Sequence, residues 1–443
     1  MTKQSHDPKT TPQARSSPAS RGVSALALPQ THRRQLITGS AALAGLAALG
    51  GTGFPAIVRA QADKVKIGHL TPRTGFLGAL GEYSVMAVTL AVEEVNKAGG
   101  VLGRQIDLIA EDSVNPSTAS SKAQRMFERD NVAAIVGEIS SASALVMAQV
   151  AGRNKKIFVN SGANSDELRG KGCNKYMFHV EVANTTNVKA CGQALLRDGL
   201  IKGKKLFSLT ADYAFGHDLL RVAKLFLSAN AGNLMGDELV ATDVTDFSPY
   251  LLKIRQARPD VVVCNLAGNQ TTNFIKQYAE FGLKYPIAGF NINSADAWAA
   301  GAENFAGTWP LTWHHDIDTP TSKAFVVAFI SKFGKPPENQ AWGDYVALKA
   351  VVQAMNETKS TDSDKMIAYF EKGAEFDILK PRKGYFRSWD HQLMQEMYTI
   401  TPKAKGQSKD KWDFIQLGAI LPAAGQSLEV LAPTQQENAC IFA

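Results

Sequence analysis

Cysteine is scarce in this chain, and past the N-terminal segment so are long apolar runs. Only Cys173, Cys191, Cys264 and Cys440 occur in 443 residues, too few to staple so long a chain. Cys173 and Cys191 could close a short loop, whereas Cys264 ends the run Val261-Val262-Val263 and reads as a small buried hydrophobe. No second apolar stretch is long enough to span a bilayer, so a soluble product is expected. Also missing are a Gly-x-Ser-x-Gly elbow, a P-loop and a His-Glu-x-x-His motif. Gly75, Gly78 and Gly81 are wrongly spaced for a dinucleotide fingerprint. These absences leave no catalytic residue or cofactor to name. His314-His315-Asp316 is the one dense set of possible metal ligands. Neighbouring histidines on an extended segment point to opposite faces, so it reads as a polar loop without metal.

Acid is nearly absent from residues 1–62, which hold seven Lys/Arg and only Asp7. Arg33-Arg34 precede an apolar run reaching Phe54, followed by Ala60-Gln61-Ala62, the shape of a cleavable twin-arginine export signal. An uncleaved anchor is the alternative, but the Gly- and Ala-rich run and the small-x-small site favour release, with Asp63 first in a periplasmic product. Subtracting that segment from totals of 48 basic and 41 acidic side chains leaves 41 against 40, a formal charge of +1. A near-neutral protein has no electrostatic footprint for nucleic acid or an anionic membrane. The remaining 381 residues exceed one ordinary core, so two lobes are expected.

Short apolar runs alternate with helical periodicities, the pattern of βα units on parallel sheets. Strands are expected at 65–70, 106–110, 133–136 and 157–160, with helices at 82–96, 117–129 and 142–153. A second series places strands at 205–210, 239–242, 261–265 and 287–290 and helices at 217–229, 248–257 and 271–281. The predicted fold is α/β, with two doubly wound lobes whose ligand lies beyond the carboxyl ends of the strands. There the loops 71–81, 137–143 and 161–165 carry small residues and hydroxyls that suit an anion at a helix N-terminus. Their counterparts, 212–216 and 266–270, add Tyr213 and Phe215.

The motifs Val65-Lys66-Ile67-Gly68 with Thr74-Gly75-Phe76-Leu77-Gly78, the stretch from Glu93-Glu94-Val95-Asn96 to Gly103-Arg104, Val136-Gly137 with its Ser-rich turn, Asp212-Tyr213-Ala214-Phe215-Gly216 and Asp246-Phe247-Ser248 stand in a telling order. Over nearly all of the mature chain the sequence resembles the type I periplasmic solute-binding proteins of the branched-chain amino acid (Leu/Ile/Val-binding) family, substrate-binding subunits of ABC transporters. The resemblance implies a monomeric receptor, not an enzyme, which closes by hinge motion on a small molecule and presents it to an inner-membrane permease. It implies an N-terminal lobe of 63–181 plus 311–388, a C-terminal lobe of 182–310 plus 389–436 and a tail of 437–443, with crossings near Val182, Pro310 and Trp389.

Carried onto this sequence, the family's carboxylate grip falls on Ser141, Gly162 and Asn164, with Ser140 and Ala163 beside them. Second-lobe contacts fall on Phe215 and Ala267. Phe76, Leu77 and Leu80 with Tyr213, Phe215 and either Trp309 or Trp313 could wall a flat slot for a ring, and Arg73 could fork onto a carboxylate. Amino-acid-binding members place an acid after the strand near 287–289, where this chain reads Phe290-Asn291-Ile292-Asn293. Desolvating an ammonium without a carboxylate partner costs several kcal/mol, so the first expectation is a small carboxylate without an α-amino group, such as an aromatic acid. A branched-chain amino acid, amide or urea, hydrogen-bonded by Asn269, Asn291 or Asn293, is the alternative. A secreted cofactor-dependent enzyme is the rival from another class.

Overall fold

The computed structural model describes residues 63–442; the expected export signal, 1–62, lies outside the described residues. The first series comprises β1 (Val65–Thr71), α1 (Gly78–Lys97), β2 (Ile106–Asp112), α2 (Pro116–Glu128), β3 (Ala134–Gly137), α3 (Ser141–Asn154), β4 (Ile157–Asn160) and β5 (Met177–His179). The second comprises α4 (Asn184–Arg197), β6 (Lys205–Ala211), α5 (Ala214–Ala229), β7 (Asn233–Val240), α6 (Ser248–Ala257), β8 (Val261–Asn265), α7 (Asn269–Glu280), β9 (Ile287–Gly289) and α8 (Ser294–Ala300). There follow β10 (Trp309–Leu311), α9 (Pro320–Phe333), α10 (Asn339–Thr358), α11 (Ser363–Glu371), β11 (Glu375–Phe376), β12 (Gly384–Phe386), β13 (Leu393–Met394), β14 (Met397–Pro402) and β15 (Ile415–Leu421).

Two parallel sheets result, ordered β2-β1-β3-β4-β5 and β7-β6-β8-β9, with small antiparallel sheets β10-β14-β15 and β11-β12-β13. β3 and β8 are buried along their whole length, because helices on both faces leave a parallel strand no wet side. β7 starts earlier than the expected strand at 239–242. It is an edge strand with mostly half-exposed residues, so no apolar run marks its first turns. The buried helix α10 packs along α1. Its Asp344 receives Ser84 Oγ at 2.7 Å and lies 2.9 Å from His69 Nε2, fixing α10 against β1 and α1. Gly81 permits the tight start of α1, since a Cβ there would sit 1.7 Å from Pro72 O.

The cysteine expectation fails at one pair. Cys173 bonds Cys440, with Cα atoms 5.8 Å apart, while Cys191 and Cys264 are free and buried. Cys191 faces the core from α4, past the crossing from β5, and its thiol points to Thr308 O. The C-terminal segment returns to the first series instead, where Asn438 donates to Asp166 O at 2.8 Å.

Candidate functional site

Loops from both parallel sheets meet around a small, nearly closed void. Leu77 and Leu80 follow β1, Ile139 follows β3, and Gly162 and Asn164 follow β4; Tyr213 and Phe215 follow β6, Ala267 follows β8 and Asn291–Asn293 follow β9. Glu181, Asn187, Pro310, Thr312 and Asn339 complete the lining. Eight of the expected residues are thus brought together: Leu77, Leu80, Gly162, Asn164, Tyr213, Phe215, Ala267 and Asn291.

The turn after β4 is tightly held from within. Asn160 Oδ1 accepts from the N–H of Gly162 (3.3 Å) and of Ala163 (2.8 Å). The buried Arg169 guanidinium donates to the carbonyls of Ala163, Ser165 and Glu181. Ala163 is therefore buried in the turn rather than in the lining. Ser141, the first residue of α3, is also fully buried, and its Oγ accepts from Ser165 N–H at 3.2 Å. Ser140 caps α3, its Oγ 3.5 Å from Ser143 N. Phe76 and Ser140 border a second hollow at the mouth of the crevice, which shares Leu77 and Tyr213 with the inner void. The Phe76 ring meets Tyr213 edge-on at 5.4 Å, and Tyr213 leans on Phe215 at 5.6 Å. Trp309 and Trp313 pack in the core, Arg73 is exposed, and none of the three touches the void.

An acid does line the void, contrary to the expectation drawn from Asn291. Glu181 lies on the crossing between β5 and α4, and its Oε1 accepts from Val182 N–H (2.8 Å) and Thr312 Oγ (3.1 Å). Burial raises its pKa, opposed by those two bonds and by the Arg169 and Lys380 cations. A lone Glu before a β-branched residue carries no periodic signal, so Glu181 was not legible as a site residue. Neither were Asn187, Thr312 and Asn339, which reach the void from the first turn of α4, from just after β10 and from the start of α10.

The two halves are also bonded across the crevice. Asn339 Nδ2 donates to Asn293 Oδ1 at 2.6 Å, and Ser294 N–H donates to Asn339 Oδ1 at 3.0 Å. Beside this pair, burial raises the Asp296 carboxyl to about 7 and the Glu338 carboxyl to about 8. At the far rim Asp166 N–H donates to Asp218 Oδ2 (2.7 Å), while Arg221 binds both carboxylates. Gly268, at φ +54°, lies so close to the loop after β1 that a Cβ would fall 2.2 Å from Phe76 O.

The His314-His315-Asp316 segment departs from the extended geometry expected of it. The chain turns here, with Ile317 N–H bonded to His314 O at 3.1 Å, and the imidazole centroids lie 4.2 Å apart. It is the only group with metal-ligand spacing among the described residues.

Residues 64–407 match the periplasmic binding protein family. A Leu/Ile/Val-binding protein homolog of Brucella suis is 30% identical, covering 72% of this chain and 82% of its own length. A periplasmic binding protein of Burkholderia mallei superposes with a TM-score of 0.79 at 30% identity, over 86% of this chain and 99% of that one. Two structures at 23% identity share the fold: a Rhodopseudomonas palustris solute-binding protein holding 3,4-dihydroxybenzoic acid (TM-score 0.73, 81% and 97% covered) and a Streptococcus pneumoniae branched-chain amino acid receptor holding isoleucine (0.68, 81% and 99%). The chain belongs to the periplasmic binding protein family, the substrate-binding receptors of ABC transporters.

Proposed function

We propose that this receptor captures a small carboxylic acid without an α-amino group, an aromatic acid being the best fit, by closure of two lobes. One lobe carries the β1–β5 sheet and the other the β6–β9 sheet. The chain crosses between them at 180–183, at 310–312 and at 395–396. We put the third crossing after β13, which leaves Trp389 between β12 and β13 of the small sheet. The observation that carries the ligand class is the make-up of the lining: five asparagines supply neutral donors, and Leu77, Leu80, Tyr213 and Phe215 supply an apolar wall. Asn187 and Asn291 form no side-chain hydrogen bond among the described residues, so their amides are free to meet a carboxylate. Glu181 is already bonded twice and has Arg169 and Lys380 close by, which blunts its pull on an ammonium. The benzoate-type ligand of the Rhodopseudomonas palustris protein supports this reading by analogy.

Glu181 itself favours a second reading, a branched-chain amino acid whose ammonium it would hold. Calorimetric titration with benzoate, a hydroxybenzoate, leucine and isoleucine separates the two. Binding of the aromatic acids, with affinity changed less than about tenfold (about 1.4 kcal/mol) by Glu181→Gln, is the expected result. Binding of leucine that Glu181→Gln abolishes would replace the first reading by the second.

A further inference from the structure

We infer that His314, His315 and Asp316 form a binding site for a divalent transition-metal ion of the Zn²⁺ type, separate from the ligand void. One donor atom from each of the three lies within 4.8 Å of the others. His314 Nδ1 stands 3.6 Å from Asp316 Oδ2, and His315 Nε2 stands 3.7 Å from Asp316 Oδ1. Around a tetrahedral ion with bonds of about 2.0–2.2 Å, neighbouring ligand atoms are about 3.3–3.6 Å apart. Each nitrogen-to-oxygen separation lies at or just beyond the upper end of that range, the two running to different oxygens of one carboxylate.

A second observation is independent of that spacing. His314 Nε2 and His315 Nδ1 are buried and find no hydrogen-bond partner among the described residues. Neither ring is therefore locked by partners at these atoms. Among the described residues the only hydrogen bond to either imidazole is from Asp316 N–H to His314 Nδ1, at 3.2 Å. Coordination through His314 Nδ1 and His315 Nε2, the nitrogens that face Asp316, gives up just this contact.

Access is also provided. His314 is enclosed, His315 is 13% exposed and Asp316 is 44% exposed, so the fourth position opens to water. Two imidazoles and a carboxylate suit Zn²⁺, or Cu²⁺ and Ni²⁺, over the oxygen-seeking Mg²⁺ and Ca²⁺. Trp298 backs the His315 ring at 5.6 Å and stiffens that side of the site.

The test uses the full protein without a polyhistidine tag, stripped with EDTA and dialysed. Titration with ZnCl₂ should show one saturable equivalent, and Co²⁺ should give a visible d–d absorption band. Asp316→Asn, nearly isosteric at a partly exposed position, and His315→Ala should each weaken Zn²⁺ at least about tenfold, with unchanged circular dichroism. Absence of one-to-one binding in the wild type, or an affinity that is unchanged in either variant, would overturn the assignment.

Discussion

Gly268→Ala offers the sharpest test of closure. The added methyl would stand 2.2 Å from Phe76 O and 3.2 Å from Leu77 Cδ2, about 1 Å inside ordinary contact with the carbonyl. Phe76 belongs to the loop after β1 and Gly268 to the loop after β8, so the overlap exists only while the halves are together. Overpacking of this kind costs about 1–3 kcal/mol. Charged to the closed state alone, that weakens apparent ligand affinity by about 5- to 150-fold. Backbone strain is a separate loss, because φ +54° with ψ −133° suits glycine, but it acts on open and closed forms alike. Gly282→Ala is the control: its φ is +68° and its Cβ would meet nothing within 4 Å, so it should lower the melting temperature and leave affinity unchanged. Calorimetry with the acid found by screening, together with small-angle scattering for the ligand-bound radius of gyration, measures both effects. Equal affinities in wild type, Gly268→Ala and Gly282→Ala would refute the proposed hinge closure.

Asn339→Ala removes both bonds to the Asn293–Ser294 turn and should weaken ligand binding by about 1–2 kcal/mol, read by calorimetry, with a smaller effect on ligand-free stability. Cys173→Ser should lower unfolding free energy by about 2–5 kcal/mol in urea titration, and non-reducing peptide mapping of the wild type should recover a Cys173–Cys440 peptide. The carboxyls of Glu338 and Asp296 bind protons more tightly in the folded state than in the unfolded state. Their stabilisation is complete below the ordinary carboxyl range and is lost as pH rises toward 7 to 8. Glu338→Gln should therefore flatten the fall in stability between pH 5 and 8 by up to about 1 kcal/mol per pH unit. The buried imidazoles of His179 and His314 act with the opposite sign at lower pH, so the difference between wild type and variant is the quantity to follow.

The parallel strands were legible because burial on both faces demands runs such as Ala134–Gly137 and Val261–Asn265, and no other physical requirement produces them so regularly. β7 was misplaced for the same reason: half of its surface is wet, so apolar content stops marking it. The loops after β1, β4, β6 and β8 could be found once the strands were known, since chain order fixes which turns stand at the carboxyl ends. Inside those loops, residue type did not reveal which groups were already committed. Asn160 takes up the Gly162 and Ala163 amides and Arg169 takes up three carbonyls, and neither partner can be assigned from spacing alone.

Glu181, Thr312 and Asn339 show the deeper limit. Each reaches the void from a crossing or a helix start separated from the strand loops by tens to hundreds of residues, and Thr312 meets Glu181 across 131 positions of chain. Their placement depends on how two halves are set against each other, which hydropathy along the chain does not encode. The consequence bears on ligand identity. Asn291 alone argues against an ammonium, but the charge of the void is set jointly by Glu181, Arg169 and Lys380, of which only Glu181 lines it. Burial lowers the Lys380 pKa to about 7, so this balance shifts near neutral pH. As Lys380 deprotonates, Glu181 loses a countercharge and an anionic ligand meets a more negative site. Affinity for a carboxylate should therefore decline from pH 6 to pH 8, the Asp296 and Glu338 carboxyls ionising in the same direction, and Lys380→Met, which keeps the bulk and removes the charge, should bind the acid weakly with a shallower decline. An affinity independent of pH in the wild type would separate Lys380 from the ligand site.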